Sequence, residues 1–473
     1  MKKVISALAA VTMLASITAC GDSSSTGSTP ASTPDSSSSV ADSSSAEDSG
    51  ASSGKTVLNV WSFTEEVPGM VKKYASLNKD FADKYEIKDT IIPTTERLYQ
   101  PALDQALLGG GDDAPDMYAA EAAFIMKYSQ GDASKYAATY EELGIADVDK
   151  KVKDAELAQY TVDIGTRDGK VVALGYQATG GAFIYRRSIA EKTFGTDDPA
   201  TIAKEIGPGW EKFFEAAEKL KGKGYGIVSG DGDIWHAVEN SSDHGWLVDD
   251  KLSIDEKREN FLDLSKKLKD NNYHNDTQDW QEGWFADMKG EGDKEIFGFF
   301  GPAWLINYTM GDNCGDDKET AEREGTWGDW AVCESPIGFF WGGTWVLGNK
   351  ESANKEAVGK IIEWITLDTT ETGLQYMWAN GTYDEGGTKD AVASNVVMKK
   401  SDGKIDFLGG QNMFDVFIPA NDSATGKNLT ALDEDINALW RDAVRQYTAG
   451  EKTREQAIED FKTNVNESLA LDE

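Results

Sequence analysis

Val57-Leu58-Asn59-Val60-Trp61 is a short apolar run set between Gly54 and a polar segment, the pattern of a buried strand. Working outward from it, a helical stretch is expected from about Pro68 to Tyr85, then a second strand at Ile91-Ile92-Pro93. A helix from Arg97 to Leu108 stops at Gly109-Gly110-Gly111, and Asp116-Met117-Tyr118 reads as a third strand. Strand, helix, strand, helix, strand is the rhythm of an α/β domain with a mainly parallel sheet. The rhythm returns later. Gly181-Ala182-Phe183-Ile184-Tyr185, Gly226-Ile227-Val228 and Phe297-Gly298-Phe299-Phe300 read as strands. Trp210, Phe213, Phe214, Ala217 and Leu220 share one helical face. So do Val358, Ile361, Ile362 and Ile365, and again Ile436, Leu439, Trp440 and Ala443. Two α/β units of this size imply two lobes.

The N-terminus is of another kind. Met1-Lys2-Lys3 and the apolar run Val4 to Ala19 have the shape of a signal peptide over 1–19. The run is too short for a spanning helix, which needs about 20 residues. It ends Ile17-Thr18-Ala19-Cys20, similar to a bacterial lipobox, which implies lipid on Cys20. Residues 20–54 are Ser, Thr, Ala, Gly, Pro and Asp with scarcely a large apolar side chain, so they cannot offset their ordering entropy. They read as a disordered tether of about 30–35 Å reach. About 419 residues remain, enough for two domains or one large one.

The formal charge is −35, so phosphate backbones would be repelled and nucleic acid is a poor partner. That charge is no sign of a cationic ligand, since most acids sit on solvated faces. Cys314 and Cys333 are the cysteines besides Cys20, and an even pair in an exported chain is expected as a disulfide. It would contribute about 3 kcal/mol by the chain-entropy estimate; two reduced thiols is the other reading. His236, His244 and His274 are scattered, with no HExxH and no paired CxxC, so neither a metal site nor a cofactor is expected.

Several fragments share an order with one family. Leu58-Asn59-Val60-Trp61-Ser62-Phe63 looks like its first strand, and Ala114-Pro115-Asp116-Met117 resembles its "GxxPDV" step. Ala173-Leu174-Gly175-Tyr176 is similar to the first crossing between lobes, although the usual Asn further on is replaced by Arg186. Phe299-Phe300-Gly301-Pro302-Ala303-Trp304 resembles "GPW", Gly342-Gly343-Thr344-Trp345 resembles "GGSWA", and Gly409-Gly410-Gln411 resembles a Gly-Gly-Gln segment. On these fragments, over nearly all of 55–473, the chain resembles the family 1 extracellular solute-binding proteins, which include maltose-binding protein.

The resemblance implies a two-lobe periplasmic-binding-protein-like α/β fold of class II type with a ligand cleft between lobes. The first lobe would take about 55–175 and 338–372, the second about 176–337 and 373–473. It implies a binding protein and no enzyme: a monomer that captures an oligosaccharide and delivers it to the permease subunits of an ABC importer. The chain would be held on the outer face of the cytoplasmic membrane by its lipid alone. An exported glycoside hydrolase is the main rival; it needs two carboxylates about 5–10 Å apart, which 82 acidic residues cannot discriminate. A binder of a polyamine or peptide is the other.

A sugar offers an apolar face and a rim of hydroxyls, so its site needs aromatic walls and planar polar groups. Trp304 matches the stacking position of the GPW segment. Trp341 and Trp345 flank Gly342-Gly343, and Trp61 leads into the loop holding Glu65 and Glu66. Glu121 follows the third strand, Asp233 and Trp235 pair in a Gly-rich loop, Tyr176 lies on the crossing segment, and Gln411 and Asn412 offer amides. Each Trp has a core reading beside its platform reading; Trp210, Trp364 and Trp440, on helical stripes, are assigned to the core.

Overall fold

Strand β1 (Thr56–Ser62) buries Leu58, Asn59 and Val60 in succession. It can do so because it is flanked on both edges, by β2 (Tyr85–Ile91) and β3 (Met117–Glu121), both parallel to it. This computed structural model describes residues 54–94, 97–315 and 325–469. The signal peptide, Cys20 and almost all of the tether lie outside the described residues.

The second strand starts earlier than expected. Thr56 pairs with Tyr85 and Ser62 with Ile91, so β2 follows directly on the helices Glu66–Leu77 and Lys79–Lys84. As an edge strand its side chains are half-buried or exposed, and no apolar run marks it.

The other strands of the two main sheets are β4 (Leu174–Gly175), β5 (Ala182–Arg186), β6 (Gly298–Gly301), β7 (Trp330–Cys333) and β8 (Thr344–Gly348). They form a five-stranded sheet, β2-β1-β3-β8-β4, and a three-stranded sheet, β6-β5-β7. The expected mainly parallel sheet is corrected. β8 runs antiparallel to β3 and β4, and the second sheet is antiparallel throughout. Parallel pairing needs a helical crossover, whereas β8 enters the first sheet from the connection with the second. Gly226-Ile227-Val228 forms no strand; Gly226 makes one isolated bridge to Ile296.

β5 alternates between two cores, as a strand buried on both faces does. Ala182 and Ile184 join the core of Leu58, Val60 and Val346, while Phe183 and Tyr185 join that of Phe213, Leu220 and Trp440. The helix Gly209–Lys221 buries its predicted stripe, Phe213, Phe214, Ala217 and Leu220. Trp210 is half-buried against Phe213 at 5.5 Å, and Trp364 and Trp440 are core.

Three segments connect the sheets side by side. The Gly181 N–H donates to the Phe339 carbonyl at 2.8 Å, and the Trp341 N–H to that of Thr179 at 3.0 Å. Asn421 Oδ1 accepts from the Gly180 N–H at 3.1 Å, and Gln177 bridges to Val392. Gly181 is required: a Cβ there would lie 2.0 Å from the Phe339 ring. Among the described residues, no helix is long and apolar enough to cross a membrane.

The expected disulfide is corrected. Cys314 and Cys333 are both free and buried. Cys314 packs in the core of β1, whereas Cys333 on β7 packs in that of Trp440. Burial pushes the Cys314 thiol up to about 12 and raises Cys333 also.

Candidate functional site

The loop Phe340–Gly343 ends a connecting segment and begins β8. Gly342 and Gly343 adopt φ of +68° and +112°, values that favour glycine. The turn sets Trp341 between the sheets, with its ring stacked on His236 at 3.7 Å and 15°. Trp304, on the turn after β6, donates its indole N–H to the Trp341 carbonyl at 3.0 Å and lies edge-on to its ring at 4.7 Å. Trp280 completes the group, 6.1 Å from Trp304 and 10° from parallel, and 6.0 Å from Trp341. It is 48% exposed and holds φ +65°, a conformation non-glycine residues rarely adopt outside turns and functional sites.

Beside this aromatic group is a cavity of about 290 Å³ lined by Glu121 from β3, by His236, Glu239 and Asn240 from the helix Asp231–Ser241, and by Asp433 and Arg441 from the helix Asp433–Thr448. Burial pushes Glu121 up to about 7, against a hydrogen bond from the Ala123 N–H at 2.8 Å. Burial, then the nearby Asp433, raises Glu239 to about 7, and burial raises Asp433 to about 6. Burial lowers His236 to about 3, so its ring is neutral. Asp279, 3.9 Å from His236, is also buried, yet the Arg441 guanidinium holds it below the usual range. At the outer rim the start of the helix Tyr99–Gly109 meets the helix Asp433–Thr448: Gln100 donates to Glu434 at 2.8 Å and Arg97 pairs with Asp435. Among the described residues, no cluster of His, Cys, Asp or Glu could hold a metal.

Of the expected residues, the structure brings Glu121 and Trp341 to the wall of this cavity, with Trp304 packed against Trp341. Trp61 is half-buried against a neighbouring core, with its carbonyl 3.4 Å from the Tyr99 hydroxyl. Glu65 is exposed at the start of the helix Glu66–Leu77. Glu66 accepts from the Tyr176 hydroxyl, and Tyr176 is fully buried against Trp378 at 5.4 Å.

Other expected site residues have structural work. Trp345 is 1% exposed and donates to the Thr161 carbonyl, because it alternates inward on β8. Trp235 borders the cavity but packs in the core against Phe261 at 4.9 Å. Asp233 caps its own helix, accepting from the Ser229 and Gly230 N–H groups and from Trp284. Gln411 bonds the N–H and the carbonyl of Val332 at 2.9 and 2.7 Å, closing the edge of β7. Asn412 accepts from the Phe414 N–H and donates to Asp415.

Sequence reasoning missed Trp280, His236, Glu239, Asn240 and Arg441. The first had a signal: an isolated aromatic between Asp279 and Gln281. His236, Glu239 and Asn240 lie at i, i+3 and i+4, one helical face, but polar spacing of that kind is common on solvated helices. A larger cavity, about 810 Å³, lies elsewhere, against Pro199, Pro208 and Pro336, and no aromatic ring lines it.

Comparison with known proteins agrees with this architecture. A crystal structure described as an extracellular solute-binding protein of family 1 matches with TM-score 0.68 at 15% identity, covering 86% of this chain and 97% of its own. The galacto-N-biose-/lacto-N-biose I-binding protein of an ABC transporter from Bifidobacterium longum, solved with lacto-N-biose, matches at 0.62 and 16%, covering 88% and 98%. An ABC-transporter-associated binding protein from B. animalis subsp. lactis, in complex with β-1,6-galactobiose, matches at 0.57 and 20%, covering 88% and 97%. No curated protein sequence matches. The two-sheet fold is thus that of ABC-type binding proteins, and the family model of the bacterial extracellular solute-binding proteins matches residues 70–402. With that match over most of its length, the chain belongs to the bacterial extracellular solute-binding proteins.

Proposed function

We propose that the chain captures an oligosaccharide between two lobes and delivers it to an ABC importer. The observation that carries the reading is the group of three indoles, Trp280, Trp304 and Trp341, beside a cavity lined by carboxylates. Flat rings suit the C–H faces of sugars, and carboxylates accept from hydroxyls. The fold neighbours with bound disaccharides support the same ligand class. The lobes would centre on the two sheets, about 55–175 with 338–372, and about 176–337 with 373–473. The 374–400 stretch would go with the first lobe, a reading supported by bonds from Gln375 to the Thr366 carbonyl and from Ser394 to that of Ala155. Lobe closure is a hinge motion, and an importer can select the closed form by its differential affinity. A lipid on Cys20, a monomeric state and permease partners complete the proposal.

The test is a thermal-shift screen of the mature chain over an oligosaccharide panel, followed by calorimetry and product analysis. Ligand at a hundred times its dissociation constant adds about 2.7 kcal/mol, a readily measured shift. Shifts with a polyamine or peptide and none with sugars would sink the reading. So would release of shorter sugars that disappears on mutating one carboxylate.

A further inference from the structure

The cavity beside Trp341 is rich in acceptors and poor in free donors. Five carboxylates line or flank it, Glu121, Glu239, Asp279, Asp433 and Glu434, against two guanidiniums, Arg258 and Arg441. Arg441 is engaged by Asp279 at 2.5 and 3.2 Å. The Arg258 guanidinium donates to the carbonyls of His244 and Asn428 at 2.9 and 3.2 Å. Asn437 donates to Glu239, and Trp304 to the Trp341 carbonyl. Buried carboxylates in excess of cations are costly unless something pairs with them.

A second observation is independent of the acids. Two polar side chains on the cavity wall are more than nine-tenths buried and lack a partner. They are His236, 8% exposed, at both ring nitrogens, and Asn240, 6% exposed, at Oδ1. The Asn240 amide nitrogen is fixed by the Phe340 carbonyl at 2.8 Å, so the end left open is an acceptor. His236 Nδ1 lies 4.0 Å from Glu239 and Nε2 3.9 Å from Asp279, both beyond hydrogen-bond reach.

We infer that the ligand carries a protonated amino group, and that this ammonium occupies the cavity against Trp341, facing Glu121, Glu239 and Asn240 Oδ1. The inference rests on the oligosaccharide reading above and narrows it to amino sugars. An ammonium has three donors and no acceptor, which suits a wall whose acceptors outnumber the one N–H of the neutral His236 ring.

The test is calorimetric titration of the mature chain with β-1,4-linked glucosamine oligomers, their fully N-acetylated counterparts and cello-oligomers of the same lengths, with spermidine as the non-sugar amine. The expected result is amine-bearing oligomers bound about ten-fold or more tighter than both neutral series, the scale of one charge-assisted hydrogen bond. Glu239→Gln should weaken the amine series by a similar factor and any neutral oligomer far less. Glu121→Gln, on β3, serves if Glu239→Gln folds poorly. Neutral oligomers bound as tightly as amines, or bound alone, overturn the ammonium and leave the oligosaccharide reading standing. Spermidine bound with no sugar supports the ammonium site and overturns the oligosaccharide reading. Binding of no amine at all overturns the inference.

Discussion

Replacing Trp304 by alanine should separate binding from stability. Its ring is half-buried, edge-on to Trp341 at 4.7 Å and stacked with Trp280 at 6.1 Å, and its N–H reaches the Trp341 carbonyl at 3.0 Å. A neutral hydrogen bond contributes about 1 kcal/mol net and an aromatic pair about 0.5–1.5 kcal/mol. Stability should therefore fall by about 2 kcal/mol, a Tm shift of a few degrees in a chain of this size. Loss of a central aromatic anchor costs about 2 kcal/mol or more of binding, roughly thirty-fold in Kd. Trp440→Ala is the control. Trp440 is fully buried, 5.7 Å from Trp246 and 4.8 Å from Phe461. Its loss should cost about 3–5 kcal/mol of stability with Kd within about two-fold of wild type. Calorimetric titration with the tightest oligosaccharide of the screen, beside thermal unfolding, measures both quantities. A Trp304→Ala chain that melts early and binds within about two-fold of wild type would refute the cleft described here.

Gln411→Ala should lower stability by about 2 kcal/mol, since it leaves a buried N–H and carbonyl of Val332 unpaired. Its sugar affinity should be unchanged; lost affinity at constant Tm would return Gln411 to the cleft. Asp390 is fully buried and pushed by that burial up to about 7, against hydrogen bonds from Ala391 and Gln177. The folded chain therefore keeps a proton that the unfolded chain releases near pH 4. The resulting stability is fully present below that range and is lost as pH rises through about 7. Glu121 and Asp233 act in the same sense. Asp390→Asn should flatten the decline of Tm over that interval, and an unaltered slope would count against it. Cys314 and Cys333 should resist a thiol reagent in the native chain and both react on unfolding without reductant. Absence of reaction until reductant is added would show them bridged.

The helical stripes were legible because burial repeats with the helix period: Phe213, Phe214, Ala217 and Leu220 are inside as their spacing requires. β1 was legible for a related reason, since a strand covered on both edges and both faces needs an unbroken apolar run. β2 was misplaced because a half-solvated edge strand carries no such run. Among the aromatics, sequence spacing could not tell Trp345, turned into the core, from Trp341, four residues earlier and turned toward His236.

The sequence by itself determined the α/β character, the positions of the main helices and the Gly-Pro-Ala-Trp304 and Trp341-Gly-Gly turns. These are set by local periodicity and by backbone conformations that few residues adopt. Only the tertiary structure decided that β8 runs antiparallel to β3, that Gln411 closes a strand edge, and that Cys314 and Cys333 lie in different cores. It alone assembled Glu121, His236, Trp341 and Arg441 around one cavity, with Trp280 and Trp304 packed against Trp341. Residues so far apart in the chain meet only because three connecting segments hold two sheets together, and no local pattern encodes that contact. Burial, which moves Glu121 up and His236 down, depends on the same packing.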